Sequence, residues 1–410
     1  METVGGDFSR ELSALKGRRI LGVNPPVYDF SWFDLWAKPL GLLFLLQFLR
    51  ERGNEVHLVD CLDEGRTTPL SFGRWKVSRV AVEKPAPLKN IPRRYYRFGL
   101  EAAAFRQRLS SCPPPDVILV TSGMTYWYPG VFEAVETLHE IFPRVPVLLG
   151  GIYARLCSEH ALRSGANFVQ TEFPDDFLHV VTTPALDLYS RPGYGVLLTS
   201  RGCPLQCEYC ASHRLYPDFV QRPPEDVFAD LRAQMSLYPL SNMAFYDDAL
   251  LVGKERHFYP ICEYIRENFP DLNLHTPNGL HVAQLNDECC RILFDTGFQT
   301  IRLSLEGTDS FTVGLSSNKT RPSQYMEAVE SLRKAGYTPD RIETYVLAGL
   351  PGQKTEDVRA SIEFVRKLGG RVKLAEFSPV PGTPIFEKVL ALTPQIADEP
   401  LLHNNTIYAP

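Results

Sequence analysis

Three of the nine cysteines, Cys203, Cys207 and Cys210, fall within eight residues at Cys-x3-Cys-x2-Cys spacing. A tight loop brings three such thiolates round one centre, and thiolate donors select zinc, copper(I) or iron–sulfur clusters. Three ligands leave one coordination position open to a substrate or cofactor, whereas a structural zinc site closes it with a fourth protein donor. In the zinc reading that donor is His213. Further chemically marked residues follow other apolar runs: Tyr246-Asp247-Asp248, Asn278, Ser304 and Glu306, Leu347-Ala348-Gly349, and Pro379 in Pro-Val-Pro-Gly-Thr-Pro. The aspartate pair suits a divalent metal or a turn cap. Period-two alternation puts Arg302, Ser304 and Glu306 on one strand face, with an Arg302–Glu306 ion pair as their simplest use.

Strands must deliver these residues. From 195 onward, six apolar runs alternate with helical stretches. The runs lie near 195–199, 243–246, 272–276, 300–305, 342–347 and 372–377, and the helices near 224–236, 257–268, 287–296, 325–335 and 355–368. Repeated βα units predict parallel strands whose site gathers at their carboxyl ends, and six repeats predict an open partial TIM barrel, (β/α)6. The first half alternates likewise, predicting a five-stranded doubly wound, Rossmann-like α/β sheet. The expected organisation is a tail at 1–17, a sheet domain at 18–181 with an insertion at 61–99, a linker at 182–194, the partial barrel at 195–384, and a C-terminal tail at 385–410. The insertion, a hairpin or a lid, ends in Pro-Arg-Arg-Tyr-Tyr-Arg (92–97), whose tyrosines are expected to pack and whose arginines are expected to stay solvated or meet an anion. Strand ends in the first half carry Thr121, Ser122, Tyr126, Gly150, Gly151 and Tyr153, candidates for a cofactor or substrate site.

With these motifs in order at successive strand ends, the chain resembles the radical S-adenosylmethionine superfamily, over roughly residues 195–384. The resemblance implies a 4Fe–4S cluster on Cys203, Cys207 and Cys210, with S-adenosyl-L-methionine chelating the open iron. It places Tyr209 against the adenine, Tyr246 and Asp247 near the amino group, Ser304 and Glu306 at the ribose and carboxylate, Leu347, Ala348 and Gly349 along the adenine, and Pro379 at the last strand end, while Asn278 points towards the site or stabilises its own turn. The first half is similar to the cobalamin-binding domain of one branch, on Asn24-Pro25-Pro26, Lys38-Pro39-Leu40-Gly41-Leu42, Gly150-Gly151-Ile152-Tyr153-Ala154 and Glu159-His160-Ala161, but it lacks the Asp-x-His-x-x-Gly loop.

The implied activity is reductive cleavage of S-adenosylmethionine and hydrogen abstraction from a small-molecule substrate, with cobalamin-dependent methylation or rearrangement as an outcome. The electron comes from an external flavodoxin- or ferredoxin-type donor. A tRNA methylthiotransferase-like enzyme, with a second cluster on Cys61, Cys112 and Cys157, is one rival. A non-catalytic module holding a cluster or corrinoid is the other.

A formal charge of −5 gives no drive towards nucleic acid. Sparse cysteines and a cluster best kept reduced point to the cytoplasm. The most apolar stretch, 39–49, is too short for a membrane span. Cys262, Cys289 and Cys290 read as small buried apolar residues.

Overall fold

The computed structural model describes residues 12, 14–171, 183–317 and 319–408; most of the expected 1–17 tail, residues 172–181 and the start of the linker lie outside them. The chain forms two units, one of residues 1–192 with 393–407, the other of 193–392 with 408–410.

Five short apolar strands build the first unit: β1 (Arg19–Asn24), β2 (Glu55–Asp60), β3 (Val117–Val120), β4 (Val147–Leu149) and β5 (Phe168–Val169). All pairings are parallel, in the order β5-β4-β3-β1-β2. The chain reverses its winding at β1, so the β1 and β3 carboxyl ends flank a switch point. Residues 117–120 are buried throughout, as a strand covered on both faces requires. The helix Leu40–Glu51 is apolar nearly all round and buries seven of its twelve residues.

The 61–99 insertion is sheet structure rather than a loose lid. Arg66–Pro69 and Trp75–Val77 form a hairpin. Arg79–Val82 and Val27–Asp29 flank Tyr95–Phe98 in an antiparallel ribbon. Of the basic and aromatic cluster, Tyr95 and Arg97 are buried, and Arg97 is not solvated: its guanidinium forks onto Glu133 at 2.7–3.1 Å. A helix at Ala102–Ser110, with only Phe105 and Leu109 buried, carried too little apolar periodicity to be expected.

The second unit supplies six parallel strands in sequence order: β6 (Gly195–Leu197), β7 (Asn242–Phe245), β8 (Asn273–His275), β9 (Phe298–Glu306), β10 (Ile342–Ala348) and β11 (Arg371–Glu376). Among the described residues β6 and β11 do not pair, so the barrel is open. Its helices run Pro224–Leu237, Phe258–Asn268, Asp287–Asp295, Pro322–Ala335 and Thr355–Lys367, each within a few residues of the sequence pattern. Cys262, Cys289 and Cys290 are buried in its core with Leu274, Phe298 and Leu303.

Beyond 384 the chain is not a tail. Pro384–Leu392 is a helix of the barrel unit. Thr393–Ile407 joins the first unit, where Leu401 packs with Phe30, Leu88 and Tyr95.

Candidate active site

The Cys203–Cys210 loop takes its course from the end of β6. Ser200–Arg201 pairs briefly with Val220–Gln221, and the chain then turns at Gly202 with φ +79°. A Cβ there would lie 2.6 Å from the Asp218 carbonyl oxygen, so the turn demands glycine. Glu208 then staples the loop. Its N–H donates to the Leu315 carbonyl at 2.9 Å, its carbonyl accepts from Ile385 N–H at 3.2 Å, and its carboxylate pairs with Lys388 at 2.9 Å.

The three thiols form no disulfide, and all line one cavity of about 390 Å³. Burial pushes the Cys203 and Cys207 thiols up; at Cys207 the Lys319 ammonium opposes this, and neighbouring sulfurs add to the rise at both. Cys210 Sγ accepts from Ser212 N–H at 3.5 Å, and the Ser212 hydroxyl, 3.3 Å from the same sulfur, donates to Asp248 at 3.0 Å. Burial raises the Asp248 carboxyl, which is open to the cavity. Among the described residues no three His, Cys, Asp or Glu groups close on a single ion. Three thiols bordering one cavity suit a cluster, in which each thiolate binds a different iron, and His213 is not among the residues that border it.

The other expected residues divide. Asp247 lines the cavity, but its Oδ1 accepts from Thr199 N–H (3.1 Å), Thr199 Oγ1 (2.7 Å), Ser200 N–H (2.6 Å) and Ser200 Oγ (2.7 Å). The carboxylate is spent on fixing the exit of β6. Tyr246 contributes backbone: its N–H bonds Leu197 and its carbonyl accepts from Asn278 Nδ2 at 3.2 Å. Asn278 also reaches the Asp247 carbonyl at 3.0 Å, tying the ends of β7 and β8 together while bordering the cavity. Ser304 borders it too, with Gly279 so close that a Cβ would lie 2.2 Å from its Oγ.

The Arg302–Glu306 ion pair does not form. Arg302 pairs with Glu343 at 3.1 Å, and Glu306 with Lys319 at 2.5 Å. The register against β10 slips between Ser304 and Glu306, which breaks the strict alternation behind that expectation. At the end of β10, what approaches Gly349 is this chain's own Tyr408, whose carbonyl would sit 2.1 Å from an added Cβ. Leu347 and Ala348 are buried there, and Gln353 bonds the Gly349 N–H and Leu347 carbonyl. Pro379 is buried in the turn that leads to the helix at 384. Tyr209 lines the cavity, its hydroxyl buried beside the Cys207 sulfur without a well-formed hydrogen bond.

Two cavity residues escaped the sequence reading. Lys319 lies in a polar loop with no periodic signal. His281 sits on the short strand Leu280–His281, which pairs with β9 opposite Ser304. Its Nε2 is buried without a hydrogen bond, and burial together with the Lys319 ammonium holds its pKa down. The burial of Leu280 and Val282 on either side was the readable signal that His281 faces the opposite way.

At the strand ends of the first unit, Thr121 N–H bonds the Val23 carbonyl at 3.0 Å. Ser122 Oγ donates to the Gly150 carbonyl at 2.6 Å and accepts from Ala154 N–H at 3.2 Å. Gly151, at φ +97°, could carry no side chain, since a Cβ would meet the Ser122 oxygen at 2.3 Å. Tyr126 is buried, and Tyr153 is fully buried with its hydroxyl 2.6 Å from His160 Nδ1. The C-terminal segment docks beside them: Glu399 accepts from Tyr128, His403 Nδ1 meets Thr125 Oγ1 at 2.9 Å, and Asn404 donates to Asp29 at 2.9 Å. Ser122, Tyr126 and Tyr153 are therefore engaged in the protein's own packing, while the space beside Gly150 is open. Cys61, Cys112 and Cys157 share no site either. Burial raises each thiol, and neither Cys112 nor Cys157 is influenced by another cysteine.

Residues 197–365 match the family model for the radical SAM superfamily. This part of the chain is a radical SAM domain. An uncharacterized methyltransferase of Pyrococcus horikoshii is 26% identical over 212 residues, 50% of this chain and 44% of the relative. A ribosomal protein uS12 methylthiotransferase of an Anaeromyxobacter species is 28% identical over 269 residues, 61% of this chain and 54% of the relative. The chain thus spans about half the length of these relatives. The radical S-adenosylmethionine methyltransferase TsrM of Kitasatospora setae, solved with cobalamin and a [4Fe–4S] cluster bound, shares the fold with a TM-score of 0.64 at 15% identity, over 92% of this chain and 75% of its own. No helix among the described residues is long and apolar enough to cross a membrane.

Proposed function

We propose that the radical SAM domain is catalytic, with Cys203, Cys207 and Cys210 holding a 4Fe–4S cluster and S-adenosylmethionine and a small-molecule substrate sharing the cavity at the ends of β6 to β9. The observation that carries this is the convergence of the three thiols, alone among the cysteines, on one cavity. When bound, cluster and S-adenosylmethionine supply one-electron reductive cleavage of a carbon–sulfur bond, and with it the means to break an unactivated C–H bond. The chain's residues do the rest. Gly202 and Glu208 set the course of the thiol loop. Asp247 and Asn278 lock together the strand ends that form the cavity wall. Ser212 N–H donates to the Cys210 sulfur, and the apolar residues Pro204, Leu250, Leu251 and Val252 exclude water from one side. His281 Nε2 and Ser304 Oγ offer polar contacts to a ligand. The electron is taken from an external flavodoxin- or ferredoxin-type donor in the reducing cytoplasm.

Methyl transfer with a corrinoid in the first unit is a second reading, supported by the fold shared with TsrM and by the methyltransferase relative. The self-satisfied strand-end residues supply no step for it. Anaerobic titration with hydroxocobalamin tests it: stoichiometric retention supports it, and none removes it.

The primary test is anaerobic iron–sulfide reconstitution followed by dithionite and S-adenosylmethionine. Wild type should acquire cluster absorbance and cleave S-adenosylmethionine, and Cys203→Ala should lose both. A Cys203→Ala protein that keeps both overturns the assignment. A wild-type cluster that never cleaves S-adenosylmethionine would make the chain a carrier or sensor.

A further inference from the structure

Glu306 ends β9 with φ +66°, a left-handed backbone that strains a residue with a Cβ. It is buried, and its carboxylate is taken by the Lys319 ammonium at 2.5 Å. A buried ion pair is weak evidence for stability, because two packed apolar side chains would often serve as well. Strain of this kind persists where the surrounding structure enforces it, and here the Lys319 ammonium holds the carboxylate in place. Lys319 lines the same cavity as Cys203, Cys207 and Cys210. The loop is tied to the segment leading to Lys319 by the bond from Glu208 N–H to the Leu315 carbonyl.

We propose that Lys319 and Glu306 form an opposed charge pair that sets the reduction potential of the cluster held by Cys203, Cys207 and Cys210, Lys319 favouring the reduced form and Glu306 the oxidised form. The inference rests on the cluster assignment above. Reduction adds one electron from the external donor to the cluster and breaks no bond. The added negative charge appears inside a partly dry cavity beside a held ammonium, where Coulomb interactions are screened less than in water. Both residues are positioning residues, since neither needs to touch the reacting atoms.

The test is a mediator-coupled dithionite titration of reconstituted wild type, Lys319→Met, Lys319→Arg and Glu306→Gln, without S-adenosylmethionine, read by electron paramagnetic resonance with iron and sulfide counted. At the wild-type midpoint, Lys319→Met should lower the reduced-to-oxidised ratio at least tenfold, a shift of about 59 mV for one electron. Glu306→Gln should shift it the other way, and Lys319→Arg should stay near wild type. Midpoints that are unchanged, or that move in the same direction for Lys319→Met and Glu306→Gln at full iron content, overturn the proposal. If Lys319→Met fails to fold or to hold iron, the Glu306→Gln shift alone decides by its sign. Wild type that takes up no cluster overturns the assignment itself, a result distinct from a cluster whose potential ignores the pair.

Discussion

Asp247→Ala separates a structural carboxylate from a ligand contact. Asp247 is buried, and its Oδ1 takes four bonds from Thr199 and Ser200. Alanine leaves two backbone N–H groups and two hydroxyls facing a void. Each buried amide left without an acceptor costs about 1–3 kcal/mol, hydroxyls less because they rotate to other partners. Relief of the buried carboxylate's desolvation offsets part of this, leaving a net loss of about 3 kcal/mol. Spread over the roughly 200-residue barrel unit, at about 2–4 °C per kcal/mol, the loss corresponds to a Tm lowered by about 6–12 °C.

The tryptophans provide a built-in control: Trp32, Trp36, Trp75 and Trp127 all lie in the first unit. Far-ultraviolet circular dichroism of the Asp247→Ala protein, without added S-adenosylmethionine, should show the earlier transition, while tryptophan emission at the same temperatures reports the first unit alone. The reasoning is refuted if Asp247→Ala melts with wild type yet fails to retain S-adenosylmethionine in equilibrium dialysis. The carboxylate would then be a ligand contact.

Gly202→Ala should fold but lose most of its cluster on reconstitution, because the added Cβ meets the Asp218 carbonyl at 2.6 Å in a left-handed turn immediately before Cys203; iron content per folded chain checks this. The first unit should lose stability between pH 6.5 and 4. Burial lowers the His403 ring from 6.5 to about 4, so below 6.5 the unfolded chain binds a proton that the folded chain refuses. By pH 5 that amounts to about 2 kcal/mol, visible as an earlier urea midpoint in tryptophan emission, and His403→Gln should flatten the slope.

Much of the scaffold was readable because parallel strands buried on both faces are written as short apolar runs between helical periods. The Cys203–Cys210 loop was readable because its donors are local in sequence. What was not readable depends on partners far along the chain. Asp247 looks like a ligand contact until Thr199 and Ser200, 48 and 47 residues earlier, are seen to claim it. Glu306 and Arg302 share a face on paper, but the slipped register gives each a different partner. The glycine after β10 promised room for a cofactor, and Tyr408 fills that room. The helix at 102–110 and the ribbon built on 95–98 were missed because one carries few apolar residues and the other pairs with the distant strand 27–29.

His403 and Asn404 complete the unit that begins at the other end of the chain. A ribosome therefore synthesises residues 193–392 before it delivers the segment that closes the first unit. Emerging first, that unit waits for Glu399, His403 and Asn404 through some 200 residues of synthesis, at 5–20 residues per second on the order of 10–40 s. The first unit, begun first, is thus completed only after nearly all of the second has been made, and Tyr408 of the second follows directly. A chain that stops at Leu392 would leave the first unit without its closing segment and Gly349 without Tyr408.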